Sequence, residues 1–298
     1  MMSTEFADPL RTLYLDWVAR MQADPEMSVQ IMRDMQEGRH TVATEPKGVS
    51  YESVDIDGLS AVWSIPADAD PTTVVLYFHG GGFVTGSAHS HRKMAGHLAR
   101  EIGSRVLLVD YRRAPEHAYP AQVDDGVTAF RWLIDQGFAP NRIVSAGDSA
   151  GGTLALALVV SLRTRGLPTP GAVVTFSPGL DWDGEWMVNE ENDILASKAI
   201  IVAMGSLAFG DRNTKDPLCN PTYADLVGFP PVYLSAGGHE NLLGGIRKFV
   251  EAADAAGVEV TLDVAPSRQH VHTFAVGNDP EADRTITESA AWARERLG

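Results

Sequence analysis

Residues 142–166 read RIVSAGDSAGGTLALALVVSLRTRG. After Arg142 the next five are apolar or small and predict a strand, and the run from Thr153 predicts a helix, so Gly147-Asp148-Ser149-Ala150-Gly151-Gly152 must form a sharp joint. A serine before an apolar helical run can serve as an N-cap, accepting a free backbone N–H. The second reading is G-x-S-x-G between a strand and a helix, a turn that lifts the serine hydroxyl clear of a sheet and tolerates only small neighbours. The strand-turn-helix setting favours this second reading. A hydroxyl placed so is a nucleophile only when a base takes its proton, usually with a carboxylate orienting that base.

Working outward, short apolar runs recur: VVLYF (74–78), VLLVDY (106–111), VVTFSP (173–178), VYLSAG (232–237) and VEVTLDVA (258–265). Helix-length segments separate them, which predicts an α/β fold with a mostly parallel central sheet and helices on both faces. Functional loops in such a sheet leave the carboxyl ends of the strands. Ahead of these, SYESVDIDGLSAVWSIP (50–66) alternates about Asp57-Gly58 and predicts an antiparallel hairpin. Apolar residues at helical spacing, Leu10, Leu13, Tyr14 and Trp17, then Ile31 and Met32, predict two helices within residues 1–45. Between Pro178 and Phe229 the chain is too long for a plain crossover and rich in Trp, Met and Phe. The expected organisation is therefore N-terminal helices (1–45) forming part of a helical cap, and an α/β domain (46–298) with a cap insertion around 181–215.

Composition limits the partners. With 298 residues and 44% hydrophobic content a large core is affordable, while a formal net charge of −15 repels phosphate backbones and anionic membranes. No nucleic acid and no membrane is expected. The opening stretch is broken by Glu5, Asp8, Arg11 and Asp16 and lacks the unbroken apolar run of a signal peptide, so a cytoplasmic protein is expected. Cys219 is the single cysteine, which excludes an intramolecular disulfide.

His79-Gly80-Gly81-Gly82 follows the strand VVLYF. Backbone N–H groups bared by glycines there can face a developing negative charge, and losing one such donor costs about 3–4 kcal/mol in other enzymes. H-E-x-x-H, C-x-x-C and an early G-x-G-x-x-G are absent from the sequence, so neither metal nor other cofactor is expected.

Five segments together, HGGGF (79–83), DYRRAPEHAYPA (110–121), GDSAGG (147–152), DPLCNPTYADLVGFPPVYLSAG (216–237) and QHVH (269–272), resemble the hormone-sensitive-lipase-like branch of the α/β-hydrolase carboxylesterases. The resemblance covers roughly residues 45–298. It implies Ser149 as nucleophile, an oxyanion hole from the N–H groups of Gly81, Gly82 and Ala150, and a purely structural His79. It further implies a serine esterase acting through an acyl-serine on short- to medium-chain or small-molecule esters, lactones included. Tyr111–Glu116 corresponds to a structural turn whose Arg-Glu pair fixes loops. Members of that family often associate as homodimers, though no segment marks such a contact here.

For the acid, Glu240 is the first carboxylate after the strand VYLSAG, and the order Ser, acid, His is the one that fold requires. The commoner form of the family carries Asp-Pro-Leu here; His239-Glu240-Asn241-Leu242-Leu243 resembles a sub-branch with Glu-x-Leu-Leu. The other reading of Glu240 is a helix-start residue favoured by the helix dipole. For the base, the family's proline-to-histidine spacing favours His270, and His272 with Phe274 is the alternative. Trp186, Met187, Met204 and Phe209, with Trp17 and Met21, are candidates for an apolar substrate pocket, though cap packing is the simpler role for most of them. Glu185, Glu190, Glu191 and Asp193 read as a solvated face. Two other functions use the same residues: a hydrolase-like protein that binds a small ligand without turning it over, and an amide hydrolase.

Overall fold

A computed structural model describes residues 8–297. Its frame is one eight-stranded sheet: β1 (Val49–Ile56), β2 (Leu59–Pro66), β3 (Asp70–Phe78), β4 (Ser104–Val109), β5 (Ile143–Asp148), β6 (Ala172–Phe176), β7 (Val232–Gly237) and β8 (Val260–Ala265), in the order β1-β2-β4-β3-β5-β6-β7-β8. The first two strands pair antiparallel with each other, and β2 pairs antiparallel with β4; every later pairing is parallel. The hairpin closes on Ile56 opposite Leu59. Asp57 and Gly58 both take positive φ, 54° and 88°, the left-handed pair that a two-residue turn between twisted strands demands.

Eight helices accompany the sheet among the described residues: α1 (Pro9–Ala23), α2 (Val29–Glu37), α3 (Ala88–Ile102), α4 (Ala121–Asp135), α5 (Ala150–Thr164), α6 (Lys198–Phe209), α7 (Leu243–Ala255) and α8 (Pro280–Leu297). The two-residue period of β3 sorts them onto two faces. Val74, Leu76 and Phe78 pack with Val127 and Phe130 of α4, Leu158 of α5 and Phe249 of α7. Val75 and Tyr77 pack with Leu98 of α3, Ile286 of α8 and Tyr14 and Trp17 of α1.

The long interval after β6 contains one α-helix, α6, and a short 3-10 turn at Pro221–Tyr223. Residues 179–197 are irregular, and carboxylates hold their turns. Asp181 accepts from the backbone N–H groups of Glu185 and Trp186. Asp193 accepts from Leu195, Ala196 and, across the fold, Asn241. Asp193 is therefore a buried structural carboxyl group rather than part of a solvated face. No helix among the described residues is long and apolar enough to cross a membrane.

In the sheet order, β3 leads to β4 on one side and lies beside β5 on the other, so the loops after β3 and β5 open together at a topological switch. There α5 passes over the end of β3 with no room to spare. A Cβ at Gly147 would lie 2.3 Å from the carbonyl oxygen of Gly151, and one at Gly151 would lie 2.1 Å from that of Phe78. Backbone cannot yield as a side-chain tip can. Gly147→Ala and Gly151→Ala should each destabilise the fold by about 1–3 kcal/mol, as overpacking does. The urea midpoint measures this; an unchanged midpoint in either variant contradicts the close crossing.

Candidate active site

Ser149 occupies the N-cap position of α5, yet its side chain makes no capping hydrogen bond. Its backbone sits at φ 51°, ψ −121°, a strained conformation for any residue with a Cβ. That strain turns the hydroxyl away from the helix it precedes. Oγ–H donates to His270 Nε2 at 2.9 Å, and His270 Nδ1–H donates to Glu240 Oε2 at 3.0 Å.

Each member is gripped from behind. Glu240 is fully buried and its other oxygen accepts from Gly237 N–H at 3.1 Å. Burial pushes the carboxyl above the usual range, while hydrogen bonds from His270 and from the Ser177 hydroxyl favour the charge. Ser177 Oγ also accepts from the backbone N–H of Val271 at 3.0 Å, which fixes the residue after His270. Both Ser177 and Val271 adopt positive φ, 51° and 48°, marking a tight, over-determined corner. From α1, the Tyr14 hydroxyl donates to the His270 carbonyl at 2.8 Å. Neither bridge is visible in sequence, because the partners lie far apart along the chain.

His272 goes elsewhere. The left-handed Val271 starts a short 3-10 turn, His272–Ala275, which buries His272 against Thr285 of α8 at 3.1 Å. Of the two histidines left open by the sequence, His270 alone is hydrogen-bonded to Ser149.

Under the serine lies a second buried cluster. Asp148 Oδ1 accepts from the Tyr77 hydroxyl at 2.9 Å and from Gly80 N–H at 3.1 Å, and Oδ2 lies 3.4 Å from His91 Nε2. Burial opposes its charge, but His91, Arg39 and the Tyr77 hydroxyl outweigh it and hold the carboxyl below its ordinary value. His79 stacks on Tyr111 with ring centroids 4.1 Å apart, and the Tyr111 hydroxyl donates to the His79 carbonyl. The glycines that follow take positive φ, 119° at Gly81 and 61° at Gly82, and the Gly81 carbonyl accepts from Val84 N–H, Thr85 N–H and the Thr85 hydroxyl. Ala150 is the first residue of α5, where backbone N–H groups have no intrahelical partner. The arginines of the 110–121 motif anchor loops, though their partners differ from those expected. Arg112 pairs with Asp125, while Glu116 takes a two-pronged bond from Arg33 of α2.

Ser149, His270, Gly81 and Gly82 border one cavity, roofed by α1, α2 and α6 and the irregular segment before α6. Of the pocket candidates, Met204 and Met21 line it. Trp186, Met187 and Phe209 do not. Trp186 packs on Tyr223, Met187 lies against the main core, and Phe209 is locked edge-on among Phe83, Tyr119 and Trp182. Trp17 lies under the Arg39 guanidinium. The walls come instead from Trp182, Leu195, Ile200, Ile201, Leu242, Met32 and Met35, with Gln36 and Arg39 as a polar edge. The helix KAIIVAMGSLAF turns Ile201, Gly205, Ala208 and Phe209 inward and Ile200 and Met204 toward the cavity, and leaves Val202 and Leu207 exposed on its outer face.

The family model described as alpha/beta hydrolase fold matches residues 75–275. The chain belongs to that family. An esterase of the bacterial hormone-sensitive lipase family, known as a crystal structure, superposes with a TM-score of 0.89 at 37% identity over 96% of this chain and 98% of its own. An acetyl-hydrolase of Streptomyces hygroscopicus is 36% identical over 248 residues, 82% of this chain and 83% of the relative. Carboxylesterase NlhH of Mycobacterium tuberculosis is 31% identical over 266 residues, 84% and 82% respectively. Within the α/β-hydrolases the chain is a carboxylic ester hydrolase of the hormone-sensitive-lipase-like branch.

Two histidines of this α/β-hydrolase should show in its acid stability. Burial, with the neighbouring His91, lowers His79 to about 4, and burial lowers His272 to about 4. Below the unfolded value near 6.5 the unfolded chain binds the proton that the folded chain refuses, so stability rises with pH in this window. It should be fully present above about pH 6.5 and lost progressively toward pH 4, at about 1.4 kcal/mol per pH unit for each histidine. Urea midpoints from pH 7 to pH 4 measure the slope, and a flat profile contradicts neutral buried histidines.

Proposed function

We propose that this esterase works through an acyl-serine intermediate, with Ser149 as nucleophile, His270 as general base and then acid, and Glu240 holding the imidazole. The observation that carries the reading is the unbroken chain from Ser149 Oγ through His270 to the Glu240 carboxylate, with contacts of 2.9 and 3.0 Å. His270 takes the serine proton as Oγ attacks the ester carbonyl, and the imidazolium gains its stabilisation from the buried carboxylate. The N–H groups of Gly81, Gly82 and Ala150 receive the oxyanion. His270 then gives its proton to the departing alcohol, and water repeats the sequence to release the acid.

His79 supports the glycine loop and takes no proton. Helices α1, α2 and α6 act as the cap, consistent with residues 1–45 and roughly 181–215 forming it. The mostly apolar, roofed cavity supports short- to medium-chain or small-molecule esters as substrates.

Hydrolysis of p-nitrophenyl esters from acetate to laurate tests this. Ser149→Ala should lose on the order of a millionfold in kcat while keeping its urea midpoint. Glu240→Gln should lose on the order of ten-thousandfold, since a neutral amide neither holds the same tautomer nor stabilises the imidazolium. Residual activity near wild type in Ser149→Ala would refute the assignment. Tyr14→Phe removes the bond to the His270 carbonyl and should cost about 1 kcal/mol of stability with a smaller loss of kcat than either; no change in either quantity would show that α1 does not hold the base.

A further inference from the structure

Apart from Ser149 and His270, the side chains lining the cavity are apolar except at one edge, where Gln36 of α2 and Arg39 of the following turn stand together. Arg39 is only 5% exposed, its guanidinium lying between the rings of Trp17 and Phe274 at 5.1 and 4.8 Å. Nη2 donates to Gln36 Oε1 at 2.9 Å and Nη1 reaches His91 Nε2 at 3.5 Å, while Nε is buried with no partner. No carboxylate among the described residues forms an ion pair with it; the charge of Asp148 reaches it from farther off. A guanidinium carries more N–H donors than these contacts use.

Gln36 sharpens the asymmetry. Its carbonyl oxygen already accepts from Arg39, and its amide nitrogen, with two N–H donors, has no partner among the described residues. The edge therefore has more donors than acceptors to receive them. A hydrocarbon chain laid against it strands buried donors, whereas an oxygen acceptor satisfies them.

We propose that Arg39 and Gln36 form a recognition site for a second carbonyl-type oxygen of the substrate, so that this enzyme prefers esters whose acyl part carries a ketone or carboxylate along its chain over plain alkanoates. The proposal rests on the esterase reading and names the substrate class for that site. Selectivity of this kind follows the rule that a site built of hydrogen-bonding groups rejects the analogue lacking the partner far more strongly than an apolar site rejects an added oxygen.

Paired p-nitrophenyl esters test it: 4-oxopentanoate against pentanoate, 5-oxohexanoate against hexanoate, and the adipate monoester against heptanoate. Each rate is divided by the ester's spontaneous alkaline hydrolysis, which removes inductive effects. The expected result is a preference of at least tenfold in kcat/KM for one oxygenated member, 1.4 kcal/mol at that ratio, carried mainly in KM. Preference for the oxo esters assigns a neutral carbonyl, and preference for the adipate monoester assigns a carboxylate. In Arg39→Met and in Gln36→Leu the ratio should collapse toward one. Gln36 is half-buried, so its variant keeps the test open should the buried arginine be needed for folding. In Gln36→Glu a carboxylate would occupy the guanidinium, and the ratio should again fall.

An active wild type that treats each pair alike overturns the proposal. So do variants that slow both members of a pair equally, which would make Arg39 a charge partner for Asp148 alone. A wild type that hydrolyses none of the esters and takes no organophosphate on Ser149 overturns the esterase reading itself, and this proposal with it.

Discussion

The crossing of α5 over the end of β3 sets the geometry on which the site depends. Gly147 and Gly151 let the turn between β5 and α5 come within van der Waals reach of the Phe78 carbonyl, and the chain between them has a single way round. Ser149 takes the strain, at φ 51°, and its hydroxyl leaves the helix it would otherwise cap. The same crossing places the glycine loop after β3 beside the first N–H groups of α5. The candidate nucleophile and the candidate oxyanion donors thus share one backbone constraint.

Around that crossing the structure buries charge and hydrogen-bonds it closely. Asp148 ties the elbow to the Gly80 amide and to Tyr77, and Asp193 ties the segment before α6 to the loop carrying Glu240. Ser177 holds the backbone beside His270, and its hydroxyl favours the charge on Glu240. Such bonds are strong when complete and costly when broken, so they fix positions that loops alone would leave loose. The N-terminal helices join in: Tyr14 holds the His270 carbonyl, Arg33 bonds Glu116, and Arg39 reaches the His91 that flanks Asp148. The roof of the cavity and the groups beneath it are parts of one network.

What the sequence made legible was local. Asp57-Gly58 announces its hairpin because few residue pairs accept two positive φ angles, and GDSAGG announces its elbow because the crossing tolerates nothing larger. Strands read as apolar runs because both sheet faces are covered. Family spacing favoured His270 over His272, but the physical cause was not legible, since it turns on a left-handed Val271 and on Thr285 of a distant helix. Ser177 and Tyr14 escaped for the same reason. The pocket was the least legible: Trp186 and Phe209 look like lining residues by type, but ring packing against Tyr223 and against Phe83, Tyr119 and Trp182 claims them.

The central claim is that the strained turn and the His270–Glu240 pair make Ser149 the one activated hydroxyl. Treating the folded protein with a p-nitrophenyl phosphonate and mapping the adduct by peptide mass spectrometry tests this most directly. The account predicts stoichiometric modification confined to Ser149, with loss of all esterase activity, and no modification of Ser149 when His270 is replaced by Ala. Labelling at another serine, or equal labelling of Ser149 without His270, would contradict it.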